Sequence, residues 1–375
     1  ALTHILRIGA YQILFLERVP AHAAVSAAAG AARRVGGARM AGFVNGLLRR
    51  LAERGEPPLP DREVDPAAYA RVAFSLPEWL WALLADAVAE PELFAVAEAL
   101  AEPPPLWARI NPLAGTAENL ATELAARSHP ATLEPSPLCP GAVILRGLGS
   151  GLRAEPTFAR GLWTVQDIAA QLVCRLMGAR PGEHLLDACA GVGGKSGALA
   201  EQARNLATID AADSSPQKLA LGEAAMARLG IAGVTPIACD LTAPGAAIAE
   251  AYDGILLDAP CSGLGVVRRH PELKWRRDPQ SIAALAALQA RLLEALVPRL
   301  RPGGRLVYSV CTFSREEGRD QIAALLLRHP ELAVAPPPPS DIDWSGLVDS
   351  TGAITTTPTR HGGDLFYAVR LERRP

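Results

Sequence analysis

No two cysteines of this 375-residue chain stand at the C-x-x-C spacing of a metal site or a redox pair. The six (Cys139, Cys174, Cys189, Cys239, Cys261 and Cys311) are scattered, which argues against a zinc cluster and a disulfide scaffold, so any that matters should matter as a thiol. No apolar stretch approaches the roughly 20 residues that cross a bilayer, because Arg, Pro or an acid interrupts every Ala, Leu and Val run, and no signal-peptide pattern precedes the first helix. A soluble, cytoplasmic, monomeric protein with no membrane partner is the expectation. Lysine is scarce: Lys195, Lys218 and Lys274 leave 34 of the 37 basic residues as Arg, a bias most simply ascribed to genome composition. No internal repeat is visible, and a hydrophobic share of 49% supplies a large core, which excludes disorder throughout.

The net charge of -2 singles out no partner, but its distribution is uneven. Residues 1–54 hold eight Arg against two Glu, an excess of +6 that suits a polyanion. This stretch reads as helices, with apolar residues at helical spacing (Ile5, Ile8, Ile13, Leu16, then Phe43, Val44, Leu47, Leu48, Leu51) and turn chemistry at Val19-Pro20 and Gly36-Gly37. Gly55 to Pro60, with Pro66 after it, reads as a linker. A helical stretch from Pro77 to about Leu100, a Pro103-Pro104-Pro105 break and a mixed segment around Trp107 to Asn111 follow, and residues 143–170 read as short strands and loops leading into a helix from about Thr164.

From Gly182 the pattern becomes alternating strand and helix: strands at His184–Ala188, Leu206–Asp210, Val234–Ala238, Gly254–Leu257 and Arg305–Val310, and a last strand at Leu365–Val369. Pro336 to Pro339 reads as a surface spacer. Such alternation predicts an α/β domain on a mainly parallel sheet, with ligands at the carboxyl ends of the strands. The turn Cys189, Ala190, Gly191, Val192, Gly193, Gly194, Lys195 follows a strand and opens a helix, so a cofactor can approach its backbone closely. It is neither a full G-x-G-x-x-G nor a Walker A loop, and by itself it also fits a tight packing turn. Asp213, Asp240 and Asp258 then fall just past or at the ends of successive strands, on the edge where the loop lies. Any one of them alone is more often a cap or turn residue; in register they point to a cofactor with hydroxyl groups to grip.

Cys261 and Cys311 each follow a strand at that same edge, where a nucleophile would be presented, although the commonest fate of a free cysteine is a small buried hydrophobe. Beyond Cys261, the residues Arg268, Arg269, Lys274, Arg276 and Arg277 surround a single acid, Glu272, with His270 and Trp275 interleaved. The bland reading is a solvated basic loop; the functional one is a clamp on a phosphate backbone with an aromatic to stack a base.

These residues resemble a family, the S-adenosylmethionine-dependent RNA cytosine-5 methyltransferases of the Fmu/Sun (RsmB) type. The likeness is carried by Thr164-Val165-Gln166-Asp167, Asp258-Ala259-Pro260-Cys261-Ser262-Gly263, Arg268-Arg269-His270-Pro271, Lys274-Trp275 and Tyr308-Ser309-Val310-Cys311. Gly9 to Leu14, Val19 to Ala24 and Gly42 to Arg49 are similar to the NusB-like RNA-binding helical domain of these enzymes, which has further helices upstream. Departures are Gly191-Val192 and Ser196 in a loop that usually reads Cys-Ala-Ala-Pro-Gly-Gly-Lys-Thr, Asp364-Leu365-Phe366-Tyr367 in place of Asp-Gly-Phe-Phe, and Val310 in place of a Thr before Cys311. The resemblance implies a NusB-like domain over residues 1–56, a linker and small α+β region over 57–160, and a Rossmann-like class I methyltransferase domain over 161–375. It implies Cys311 as the nucleophile, Cys261 as the group that helps resolve the covalent adduct, and Asp258 at the cytosine or cofactor. The loop from Cys189 to Lys195, with Asp213 and Asp240, would hold the cofactor, and ribosomal RNA of the small subunit would be the substrate.

Three other classes compete. A nicotinamide oxidoreductase would leave the edge cysteines and the basic loop without a role. An amino-directed methyltransferase is expected to carry Asn/Asp-Pro-Pro-Tyr/Phe where this chain has Asp258-Ala259-Pro260-Cys261. An RNA-binding ribosome-assembly protein with the same fold and little activity would have no use for both cysteines and all three acids.

Overall fold

A computed structural model describes residues 1–127, 129–149 and 151–375, which fall into two units, 1–73 and 74–375. The first is helical: α1 (Leu2–Phe15), α2 (Ala21–Arg54) and α3 (Pro66–Ala73). Ile5, Leu6 and Ile13 of α1 pack on Val25, Ala28, Val44 and Leu48 of α2, the stripe that the helical spacing of apolar residues dictates. Gly36 and Gly37 leave helical geometry, so the expected turn is a kink within α2. Pro66 does not extend the linker but opens α3, where its missing N–H costs nothing.

The second unit starts with α4 (Glu78–Ala87) and α5 (Glu90–Ala101), two helices broken at Val88-Ala89 where one was expected. Then come β1 (Leu106–Ile110), α6 (Ala117–Ala125), β2 (Thr132–Pro135), β3 (Ala142–Arg146), α7 (Pro156–Ala159) and β4 (Trp163–Val165). The strands form an antiparallel sheet in the order β2-β3-β1-β4, and Leu120 and Leu124 of α6 pack on its Ala108, Ile110 and Trp163. Residues 163–165 are claimed by β1 as an edge strand, so the helix expected from Thr164 begins later, as α8 (Ile168–Met177), capped by the Asp167 carboxylate accepting from Ala169 N.

The larger sheet is built by β5 (His184–Ala188), α9 (Gly194–Gln202), β6 (Thr208–Asp213), α10 (Pro216–Leu229), β7 (Val234–Ala238), β8 (Tyr252–Asp258), α11 (Leu273–Arg276), α12 (Pro279–Leu296), β9 (Leu300–Val310), α13 (Arg319–Arg328), β10 (Leu332–Val334), β11 (Ala353–Thr355), α14 (Pro358–His361) and β12 (Tyr367–Arg373). Its order is β10-β12-β9-β8-β5-β6-β7, with β9 through β7 parallel, β12 antiparallel to β9, and β11 paired to β12. Ile255, Leu256 and Leu257 are fully buried because both faces are covered, which is why the strands read as unbroken apolar runs. Leu292, Leu293 and Leu296 of α12 and Leu325 of α13 pack on one face, and Val173, Met177 and Leu199 of α8 and α9 on the other. Contrary to the sequence expectation, Pro279–Arg299 is a 21-residue helical run that by length and composition alone could cross a membrane, since Arg291, Glu294 and Arg299 do little to dilute it. The chain turns from β5 outward to β6 and β7 and then back to β8 and β9. The crevice at the carboxyl ends of β5 and β8 is therefore the switch point where such sheets bind ligands.

Candidate active site

At the end of β5 the backbone turns sharply: Cys189 adopts φ +65°, Gly191 +58° and Gly193 +76° before α9 begins. Gly193 is pressed against α10, where a Cβ would come within 2.6 Å of Met226 Cε, whereas a Cβ on Gly191 would meet nothing within 4 Å. The loop thus has one packed side and one open side. A cavity of about 250 Å³ borders Ala190, Gly191 and Gly193 on the α10 side. Asp213, the last residue of β6, accepts from Gly191 N at 2.9 Å and from Ser215 N at 2.8 Å, so it holds the loop in shape. A loop open at Gly191, at the carboxyl end of β5 beside an acid that ends β6, suits a cofactor bearing ribose hydroxyls.

Asp258 ends β8, and its two oxygens are both engaged: Oδ2 with Lys195 Nζ at 2.5 Å, Oδ1 with the Ser309 hydroxyl at 2.7 Å. Burial opposes the charge on Lys195, but Asp258 outweighs it and holds the ammonium above its ordinary range. Val192 is exposed on the loop, Gly194 opens α9, and Asp240, next to Cys239 whose N donates to the Asp213 carbonyl, closes its own turn on Thr242 N and Oγ1. A group that sequence reasoning passed over is Asp187. It is fully buried within β5, takes the Ser196 hydroxyl at 2.6 Å on Oδ2, and has no hydrogen-bond partner for Oδ1 among the described residues. Burial pushes its carboxyl up to about 7. An acid inside the apolar run Leu185-Leu186-Asp187-Ala188 was the available signal.

The two thiols meet. Parallel pairing sets Asp258 opposite Ser309, and the loops that follow bring Cys261 Sγ to 3.2 Å from Cys311 Sγ. The hydrogen bond to Cys311, followed by burial, raises the Cys261 thiol well above its ordinary value, so it stays protonated. Glu317, also missed from sequence, ties these loops together: fully buried, it accepts from Ser262 N at 2.7 Å and from the Ser262 hydroxyl at 2.5 Å, and that hydroxyl lies 2.9 Å from Thr312 Oγ1. Gln289 donates to the same carboxylate, and the Tyr308 hydroxyl to the Glu317 carbonyl.

The basic loop is resolved differently from its sequence reading. Arg268 and Arg269 each donate to Asp364 at 2.6 Å, and Arg269 also to Asp167 at 2.7 Å. Lys274 is buried and donates to the Phe74 carbonyl, and Arg277 donates to the Ser262 carbonyl. Four of the expected phosphate ligands are therefore spent inside the fold: the partners of Arg268 and Arg269 arrive from the start of α8 and the segment before β12, and those of Lys274 and Arg277 are backbone carbonyls of Phe74 and Ser262. His270, Trp275 and Arg276 remain exposed, Trp275 by 65%. Arg109 of β1, which the sequence did not single out, chelates Glu201 at 2.7 and 2.9 Å and donates to the Gly194 carbonyl at 3.0 Å and to Gln166, bracing the loop from behind.

Residues 175–372 match the family described as 16S rRNA methyltransferase RsmB/F, residues 1–53 the NusB family, and residues 76–150 the ferredoxin-like domain of RsmF/B-like methyltransferases. The chain is 33% identical over 381 residues to a probable ribosomal RNA small subunit methyltransferase B of Synechocystis, covering 99% of this chain and 83% of the relative. It is 34% identical over 374 residues to ribosomal RNA small subunit methyltransferase B of Salmonella typhi, covering 99% and 82%. The crystal structure of the protein PH0851 superposes with a TM-score of 0.82 at 25% identity, over 99% of this chain and 82% of that one.

Proposed function

The chain belongs to the RsmB/F family of 16S rRNA methyltransferases, and we propose that it methylates C5 of a cytosine in small-subunit ribosomal RNA, in the cytoplasm, through a covalent adduct at C6. The observation that carries this reading is the pair of thiols 3.2 Å apart at the ends of β8 and β9, beside Asp258. C5 of cytosine is a poor nucleophile and needs activation. The Cys311 thiolate adds to C6, forming the S–C6 bond and breaking the C5–C6 π bond, whose electron pair moves to C5 and makes it nucleophilic. Asp258, held by Lys195 and Ser309, hydrogen-bonds the cytosine edge and stabilises the protonated ring as electrons move.

S-adenosylmethionine, the methyl donor of this enzyme, supplies an electrophilic methyl group when bound. The residues that would hold it are the loop from Cys189 to Lys195 together with Asp213 and Asp240, with Asp258 on the substrate side. Once a base has taken the C5 proton, the pair of the broken C5–H bond re-forms the C5–C6 double bond and expels Cys311 as thiolate. Cys261, kept as a thiol in contact with Cys311, assists that release. Exposed Trp275 and Arg276 offer a stacking face and a phosphate contact for the RNA. Bisulfite mapping of 16S ribosomal RNA from cells with and without the protein tests the assignment: one cytosine should lose its protection when the protein is absent. Unchanged protection at every cytosine would reject it.

A further inference from the structure

Ala190, Gly191, Gly193 and Gly194 give the loop after β5 few side chains with which to hold its own position, so its place depends on polar anchors to its backbone. Asp213 is one anchor, on Gly191 N at 2.9 Å. The other comes from the small antiparallel sheet, 85 residues back in the chain: Arg109 of β1 donates through Nη1 to the Gly194 carbonyl at 3.0 Å. Gln166 donates to the same carbonyl at 3.3 Å and accepts from Arg109 Nη1 on its own side-chain oxygen. The other two nitrogens of the guanidinium fork onto both oxygens of Glu201 on α9, Nε at 2.7 Å and Nη2 at 2.9 Å. Arg109 and Glu201 are 8% and 5% exposed, so the pair is fixed and shielded from solvent. A carboxylate fork and a third bond to a carbonyl need the three nitrogens of a guanidinium; an ammonium has one nitrogen for both tasks. Gly197, one turn into α9, leaves the space, since a Cβ there would come 3.4 Å from Arg109 Nη2. Arg109 does not line the cavity that borders Gly191 and Gly193. It lines another, of about 730 Å³, that runs from exposed Glu118 and Arg204 to buried Gln171 and Cys174. Its action on the loop therefore passes through the Gly194 carbonyl and α9.

We propose that Arg109 is a positioning residue for S-adenosylmethionine: by holding the Gly194 carbonyl from the small sheet, it sets where the loop stands and so how tightly the cofactor binds. The proposal rests on placing the cofactor at this loop, and its test separates the two. The measurement is calorimetric titration of the full chain with S-adenosylmethionine in the absence of RNA. Arg109→Lys keeps a cation for Glu201 and gives up the bond to Gly194. It should weaken binding about 10-fold, the order of one hydrogen bond from a charged donor. Arg305→Lys is the matched control. Arg305 is also buried, forks onto Glu183 at 2.9 and 2.6 Å and donates to the Met177 and Gly178 carbonyls, but it lies at the amino end of the parallel strands, away from the loop. That variant should lower the melting temperature as Arg109→Lys does and leave cofactor affinity at the wild-type value. Arg109→Ala removes the guanidinium beside an open cavity, so millimolar guanidinium chloride, far below denaturing concentrations, should recover part of the lost affinity where sodium chloride of equal ionic strength does not. Asp213→Ala frees Gly191 N and tests the loop itself; it should weaken binding too. Wild-type affinity in Arg109→Lys, or a loss no greater than that of Arg305→Lys, overturns the positioning role, and a loss in Asp213→Ala then still keeps the cofactor at the loop. Wild-type affinity in both Arg109→Lys and Asp213→Ala overturns both.

Discussion

The strands β8 and β9 lie side by side, and each runs into a loop that carries a cysteine followed by arginines, but the two loops use those groups differently. After β8, Arg268 and Arg269 turn inward onto Asp167 and Asp364, and Arg277 onto the Ser262 carbonyl, so the charge holds the loop's own shape. After β9, Arg315 and Arg319 stay at the surface, and the loop is shaped instead by buried Glu317, which reaches back to Ser262 of the other loop. One loop is rigid through ion pairs and the other through a carboxylate shared between both. Positive charge in a sequence therefore counts donors without saying whether they face the fold or a partner.

The largest contrast is expected between the two thiols. Cys311→Ala should abolish methyl transfer to the limit of detection while sparing cofactor affinity measured by calorimetry. Cys261→Ala should accumulate a protein–RNA adduct that survives denaturing electrophoresis. Normal turnover by the Cys261 variant together with trapping by the Cys311 variant would exchange the roles of the two loops.

The next effect is on stability. Asp364→Asn leaves Arg268 and Arg269 short of a buried partner and should cost about 3–5 kcal/mol in denaturant unfolding. Arg315→Gln, on the exposed loop, should stay within about 0.5 kcal/mol of wild type in the same experiment. Equal losses would mean that the loops are built alike.

Glu317→Gln sharpens the comparison from the other side. The amide presents one acceptor oxygen where the carboxylate has two, so the variant should lose about 1–3 kcal/mol, seen as a lower melting temperature. It should also lower kcat by loosening the register of the two sulfurs, with cofactor affinity retained. The smallest effect belongs to Arg276, the one arginine of the first cluster that remains exposed. Arg276→Gln should reduce the salt slope of RNA binding by about 0.7 to 0.9 and leave unfolding untouched. The same substitution at Arg269 should instead register in stability.

The alternation of strand and helix from residue 182, the glycine turn after β5 and the placing of Cys261 and Cys311 at strand ends were legible because each depends on neighbours along the chain: apolar periodicity, turn chemistry and the residue that follows a strand. The α/β class, with a helical unit ahead of it, followed from those alone. The start of α8 and the character of residues 163–165 were not, since β1 recruits them from more than 50 residues away. Asp364 lies 96 residues from Arg268, and Asp167 lies 102 from Arg269. The partners of a buried charge, the 3.2 Å meeting of two sulfurs and the role of Glu317 depend on which distant segments the sheet order brings together. A side chain's local sequence sets its chemistry; only the tertiary structure decides whether another segment satisfies that chemistry inside the fold or leaves it free for a ligand.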